Sequence, residues 1–351
     1  MNSGAVEARS TQVRSPESRS GLERSDEGQT EPAQPVSKGQ LLATPAVSIE
    51  RVAPSPQLES LVRHYWIPRW NLPDGRDLHQ HVLEYPSMNL VIEPGDARLY
   101  RAMSGRSTQV LNGSGWAFGA LLQPGVGATL LGASARSMPG DGVPVRMLAV
   151  PGAEAAADAV RTANERASPT AADGASAPGG SSGGSDVTPA DGAMIAAFER
   201  WLRGLRLTLD PDAELMRSVV AEVESDRSLL RVDDLAARFG IGVRHLQRLV
   251  NAYIGFGPKW LIQRYRLQEA ARALEDVTPP RIADLAAALG YADQAHFSRE
   301  FKTVVGMPPG EYLATAAERT VGGADVHEAD VYGADVHGAD VHGADVHGAR
   351  A

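Results

Sequence analysis

The chain contains no cysteine, which removes disulfides and thiolate chemistry together and suits a reducing compartment. It also lacks any run of eighteen apolar residues, and its N-terminus mixes charges without an apolar core segment. Membrane spanning and export are therefore not expected, and the reading is cytoplasmic. Nor is there an excess of positive charge: the formal net charge is −9, which argues against indiscriminate coating of nucleic acid. What is present is enough apolar material, 43% of 351 residues, to build cores in two domains. The apolar residues cluster, leaving both ends and one middle stretch rich in Gly, Ala, Ser, Asp and Pro.

Residues 1–46 are too polar to offset chain entropy and read as disordered. Residues 47–150 then carry short apolar runs broken by Pro and Gly, "VLEYPSMNLVIEPGD", "GWAFGALLQPG" and "VPVRMLAV". Met88, Leu90 and Ile92 alternate with Asn89 and Val91, and Trp116 with Phe118 and Ala120, the period of two expected of half-buried strands. A small β-rich domain is predicted there. Residues 151–192 lose periodicity and read as a flexible tether with room for a short helix at its start. From Ala193 the spacing turns helical: Phe198, Trp201, Leu202 and Leu205, then Leu215, Met216, Val219, Val220 and Val223, make 193–227 a pair of connecting helices.

The end of the chain, "GADVHEADVYGADVHGADVHGADVHGARA", repeats every five residues. Five units fall short of the stacked turns a β-solenoid needs. Metal capture by His327, His337, His342 and His347 is the other specific reading. A disordered tail over 319–351, produced by repeat expansion, is favoured over both.

Residues 228–318 hold the strongest pattern. In "VDDLAARFGIGVRHLQRLVNAY" a helix buries Leu235, Ala236 and Phe239, Gly240 stops it in the left-handed region, and Gly242 caps a second helix. Leu246, Leu249, Val250 and Tyr253 form one stripe of that second helix, so Arg244, Gln247, Arg248 and Asn251 face away, with no acid among them. Residues 282–305 repeat the plan. Leu285, Ala286 and Leu289 pack the first helix, Gly290 ends it and Asp293 caps the next, where Phe297, Phe301 and Val304 face the core. Ala295, Arg299 and Lys302 point outward, with His296 and Thr303 at the margins. Between the units, "PKWLIQRYRLQEAARAL" begins with a proline suited to a first turn and gives roughly 25 Å of helix. Such a strut would set two reading helices about 34 Å apart, in successive major grooves. A helix fits that groove, and Arg suits guanine while Gln and Asn suit adenine.

Two such units resemble the AraC/XylS-type transcriptional regulators over about residues 228–313. "HFSREFKTVVGMPPGEY" is similar to the closing signature of that family, and "IGVRHLQRLVNAYIGFGPKWLIQRYRL" to its first half. The resemblance implies base contacts by Arg244, Gln247, Arg248 and Asn251 in the first unit, and by Arg299 with Ala295 and His296 in the second. Lys259, Ser298 and Lys302 are candidates for phosphate. Ala295 stands where relatives often carry a long polar residue, so the second unit is expected to read fewer bases. The implied partner is double-stranded operator or promoter DNA, with RNA polymerase, a small-molecule effector and a second copy of the chain as further candidates. No cofactor and no enzymatic activity are expected.

"LVRHYWIPRW", "HVLEYPSMNLVIE" and "GWAFGALLQPG" also look like the β-rich N-terminal domain of a subgroup of these regulators, a cupin-like jelly roll that senses a ligand or mediates dimerisation. The fold class is accordingly α+β, a jelly-roll-like domain followed by an all-α one. Tyr65, Trp66, Trp70, Tyr85, Trp116 and Phe118 could line a pocket, though aromatic residues in a small sandwich serve more often as core. The rival reading is a cupin-like metal enzyme using His79, His81 and Glu84 of "GRDLHQHVLE". Only two residues separate His81 from Glu84, and surface or edge histidines are the favoured reading, as a structural role is for His64.

Overall fold

The computed structural model of the protein describes residues 46–167 and 187–321. The expected disordered N-terminus up to residue 45, residues 168–186 of the tether and the repeat tail from residue 322 lie outside the described residues. Two layers of the first domain follow from strand periodicity. Strands β1 (Val47–Val52), β2 (Val62–Asn71), β3 (Asp77–Val82), β4 (Asn89–Ile92), β5 (Ala97–Tyr100), β6 (Ser107–Asn112), β7 (Ser114–Trp116), β8 (Phe118–Leu122) and β9 (Val143–Pro144) divide unequally. The order β1-β2-β8-β4-β5-β9, with β7 added beside β2, makes one antiparallel sheet, while β3 and β6 form a separate two-stranded ribbon. Two facing sheets are thus present in the expected jelly-roll-like manner, the second reduced to two strands that are not neighbours in the chain.

The large sheet is covered on both sides, by helices on one face and by the β3–β6 ribbon on the other. After α1 (Val126–Leu131), α2 (Ala153–Ala167) and α3 (Pro189–Gly204) share a core with Tyr65, Ile67 and Phe118 of the sheet. Phe198 meets Phe118 at 5.3 Å and Tyr65 at 5.9 Å between ring centres. The Glu199 carboxylate accepts from the Ser55 amide (2.8 Å) and the Tyr65 hydroxyl (3.3 Å), and Asp191 pairs with Arg69 at 2.7 Å. With neighbours on both faces, all five residues of β8 are buried, so the predicted alternation of Phe118 and Ala120 does not hold. The alternation of β4 does. "VPVRMLAV" supplies only the two residues of β9, because Val145–Met147 turn as a 3-10 helix.

Part of the expected tether is ordered. Residues 153–167 form a 15-residue helix because an alanine-rich segment needs little apolar bulk: Ala153, Ala156, Ala157 and Val160 suffice to bury one stripe. The two connecting helices also part company. Whereas α3 belongs to the core of the first domain, α4 (Pro211–Ser225) packs Met216, Val219 and Val220 against the helices that follow. Those are α5 (Val232–Arg238), α6 (Val243–Tyr253), α7 (Pro258–Leu274), α8 (Ile282–Ala288), α9 (Gln294–Val305) and α10 (Pro309–Val321). α10 runs three residues past the predicted boundary at 318. No helix among the described residues is long and apolar enough to cross a membrane.

Candidate nucleic-acid interface

Each helix pair is closed by backbone chemistry that its sequence dictates. Gly240 adopts φ +63° and Gly290 φ +72°, and the amides after them, Ile241 and Tyr291, return to the carbonyls of Ala236 and Ala286 at 3.1 and 3.0 Å. The second helix of each pair then starts differently. Gly242 precedes α6 with no side-chain cap, whereas the Asp293 carboxylate accepts from the His296 amide at 2.7 Å at the head of α9.

The buried stripes select the exposed ones. Leu246, Leu249 and Val250 of α6 are buried, and Arg244, Gln247 and Arg248 are exposed with Asn251 half-buried. Within this face the Asn251 amide nitrogen donates to the Gln247 carbonyl at 2.8 Å, and Arg248 Nη2 lies 3.1 Å from His245 Nδ1. On α9, Phe297 and Phe301 are buried as predicted. The third core position is Val305 rather than Val304, which is half-buried and gives its carbonyl to the Arg106 amide at 2.9 Å. Ala295, His296, Arg299 and Lys302 are exposed, and Ser298 is half-buried. His296 Nε2 approaches Glu300 Oε1 at 3.3 Å, and the same carboxylate accepts from Gln263 of α7 at 2.8 Å. Glu300 therefore ties the second outward face to the strut, a role the sequence pattern did not single out. Lys259 is exposed in the first turn of α7, behind Pro258.

The strut is buried on more than one side. Leu261, Ile262 and Tyr265 join the core of the first helix pair and Leu267, Ala271 and Leu274 that of the second. Arg264, 1% exposed, and Gln268, fully buried, face the β-rich domain. Arg264 Nη2 donates to the carbonyls of Met103 and Gly105, and the guanidinium stacks 4.9 Å from the centre of the Trp260 ring. Burial pulls its pKa down to about 10, with Glu84 opposing, so it stays charged at neutral pH. Gln268 Nε2 donates to the carbonyls of Leu83 (2.9 Å) and Glu84 (3.2 Å). On either side of that amide, Leu83 enters the core of the second helix pair and Tyr85 that of the first.

His79, His81 and Glu84 do not converge. Strand alternation turns His79 and His81 outward, where His81 Nδ1 meets Thr108 Oγ1 at 2.9 Å, while Glu84 turns inward and accepts from the Met103 amide at 2.8 Å. Among the described residues no three His, Cys, Asp or Glu side chains are grouped to hold a metal ion. Of the six aromatic residues named from the sequence, Tyr65, Trp116 and Phe118 pack in the core, and Trp66, Trp70 and Tyr85 line a partly open cavity.

Comparison with known proteins divides the chain the same way. A family model described as a helix-turn-helix domain matches residues 235–315, and one described as a domain of unknown function (DUF6597) matches residues 50–144. The chain is similar to the transcriptional activator NphR of Rhodococcus sp., 37% identical over 83 residues, 24% of each protein. It is also similar to the HTH-type transcriptional activator RhaS of Pectobacterium carotovorum, 35% identical over 75 residues, 21% of this chain and 26% of that protein. A solved AraC-type regulator structure from Chromobacterium violaceum is 29% identical, covers 28% of this chain and 89% of that one, and gives a TM-score of 0.27. The chain thus spans about a quarter of the length of these curated relatives. Two helix pairs on one strut, matched by that family model, make residues 235–315 a helix-turn-helix domain, similar in sequence to part of the transcriptional activators NphR and RhaS.

Proposed function

We propose that the protein is a sequence-specific regulator of transcription that acts in the cytoplasm on double-stranded DNA. The observation that carries this reading is the pair of outward helix faces on α6 and α9, joined by one strut and bearing Arg244, Gln247, Arg248 and Arg299 exposed. Guanidinium and amide groups at those positions would read base edges in two successive major grooves, with Asn251, Ala295 and His296 as neighbours at the same edge. Lys259, Ser298 and Lys302 would meet phosphate. The β-rich domain would modulate that activity through a small molecule, through pairing with a second copy, or through both, and RNA polymerase would be a further partner if the protein activates. Selection of bound sequences from random duplex DNA tests the reading. A defined site should emerge, and Arg248→Ala and Arg299→Ala should each weaken binding to it by roughly 1–3 kcal/mol while affecting random duplex less. Equal loss on selected and random DNA, or no loss on either, would remove these residues from the reading set.

A further inference from the structure

Between the large sheet and the β3–β6 ribbon lies a cavity of about 210 Å³ that none of the DNA-facing residues reaches. Trp66, Trp70, Val91 and Leu111 supply much of its apolar wall. His64 is 3% exposed and lines it; the ring packs edge-on to Tyr85, and its nitrogens have no hydrogen-bond partner among the described residues. Those nitrogens are not among the enclosed, unpartnered polar atoms, so they open onto the cavity and offer a bound group a hydrogen-bond partner. Two cations, Arg51 and Arg101, and two carboxylates, Glu84 and Glu93, face the same space, so it holds no excess of either sign to retain an ion. As for size, an apolar cavity of about 150 Å³ accepts benzene, so this one suits a single ring with one or two substituents.

The far wall of the cavity is the part of the domain that grips the strut. Glu84 and Tyr85 line it; Tyr85 also fills the first helix pair, and Leu83 beside them fills the second. The Glu84 carboxylate holds the Met103 amide, and from there the chain gives the Met103 and Gly105 carbonyls to Arg264 and the Arg106 amide to α9. We propose that the cavity binds an uncharged single-ring molecule whose hydroxyl or amide pairs with His64, and that occupancy reaches the DNA-reading helices through Leu83–Tyr85 and Met103–Arg106. The second half of this inference rests on the DNA-binding reading; the first half does not.

Calorimetric titration of the full chain with p-cresol, benzamide and benzoate tests the site, and the same probes added to titrations with DNA selected from random duplex test the coupling. Saturable one-to-one binding of p-cresol or benzamide, weakened about tenfold or more by His64→Phe and by the cavity-filling Val91→Trp, is expected. Saturating probe should change affinity for the selected DNA by about fivefold or more, and Gln268→Leu should erase that change while the probe still binds. Absence of saturable binding, or binding indifferent to both cavity variants, overturns the site. Benzoate binding more tightly than p-cresol and benzamide overturns the uncharged class. Equal DNA affinity with and without a bound probe overturns the coupling. Failure to select any DNA sequence would instead defeat the functional reading, with the calorimetry still deciding the site.

Discussion

His64 shows at the scale of one residue how burial sets chemistry. Surrounded by protein, with Arg63 and Arg51 nearby, its imidazole is held down from 6.5 to about 4. The folded state therefore refuses a proton that the unfolded chain accepts below pH 6.5. Stability present above that pH is lost as pH falls toward 4, by about 3 kcal/mol at the acid end. Glu84 and Glu93, raised by burial, act in the opposite sense, so the informative comparison is between the parent and His64→Phe. Denaturant melts from pH 7 to 4 should show a shallower acid slope in the variant, and parallel slopes would contradict a neutral buried imidazole. A second single-residue expectation concerns Lys302, exposed on the α9 face. Lys302→Ala should lower the slope of log affinity against log salt by about 1, the mark of one lost phosphate contact, with similar loss on every sequence.

At the scale of elements, the helix pairs were the most legible feature of the chain. Apolar residues at helical spacing, Gly240 and Gly290 at the turns and Asp293 as a cap are local signals, and each is found in the role its position implies. Asp293→Ala should cost about 1 kcal/mol in a thermal or denaturant melt, because it leaves the first turn of α9 without its acceptor. Other elements were illegible for physical reasons. The burial of α2 depends on small alanines, whose signal is weak, in a stretch that looks like tether. The strand β8 lost its alternation because helices cover one face of the sheet and the ribbon and cavity the other. The roles of Leu83 and Tyr85 had no periodic signature at all, since the helices whose cores they enter lie more than a hundred residues along the chain. Likewise Arg264 and Gln268 are polar residues on a long helix, and nothing local says that both are enclosed.

On the scale of the molecule, the two domains named from the sequence do not have separate cores. Leu83 and Tyr85 of the first complete both cores of the second, and α4 packs with the helices that follow it rather than with α3. Leu83→Ala should accordingly cost about 2–5 kcal/mol, as for any large aliphatic removed from a filled interior. Residues 207–321 produced alone should melt below the full chain, with Leu83 and Tyr85 missing from their places; an equal midpoint would show that the helical part stands without them. Nε and Nη1 of Arg264 have no hydrogen-bond partner among the described residues. Parting the two halves would wet the hydrocarbon around Leu83, yet it would also open to solvent a guanidinium of which two nitrogens lack a protein partner among the described residues. These two changes in hydration oppose each other, so the enclosed guanidinium offsets part of what burying Leu83 contributes to the closed arrangement.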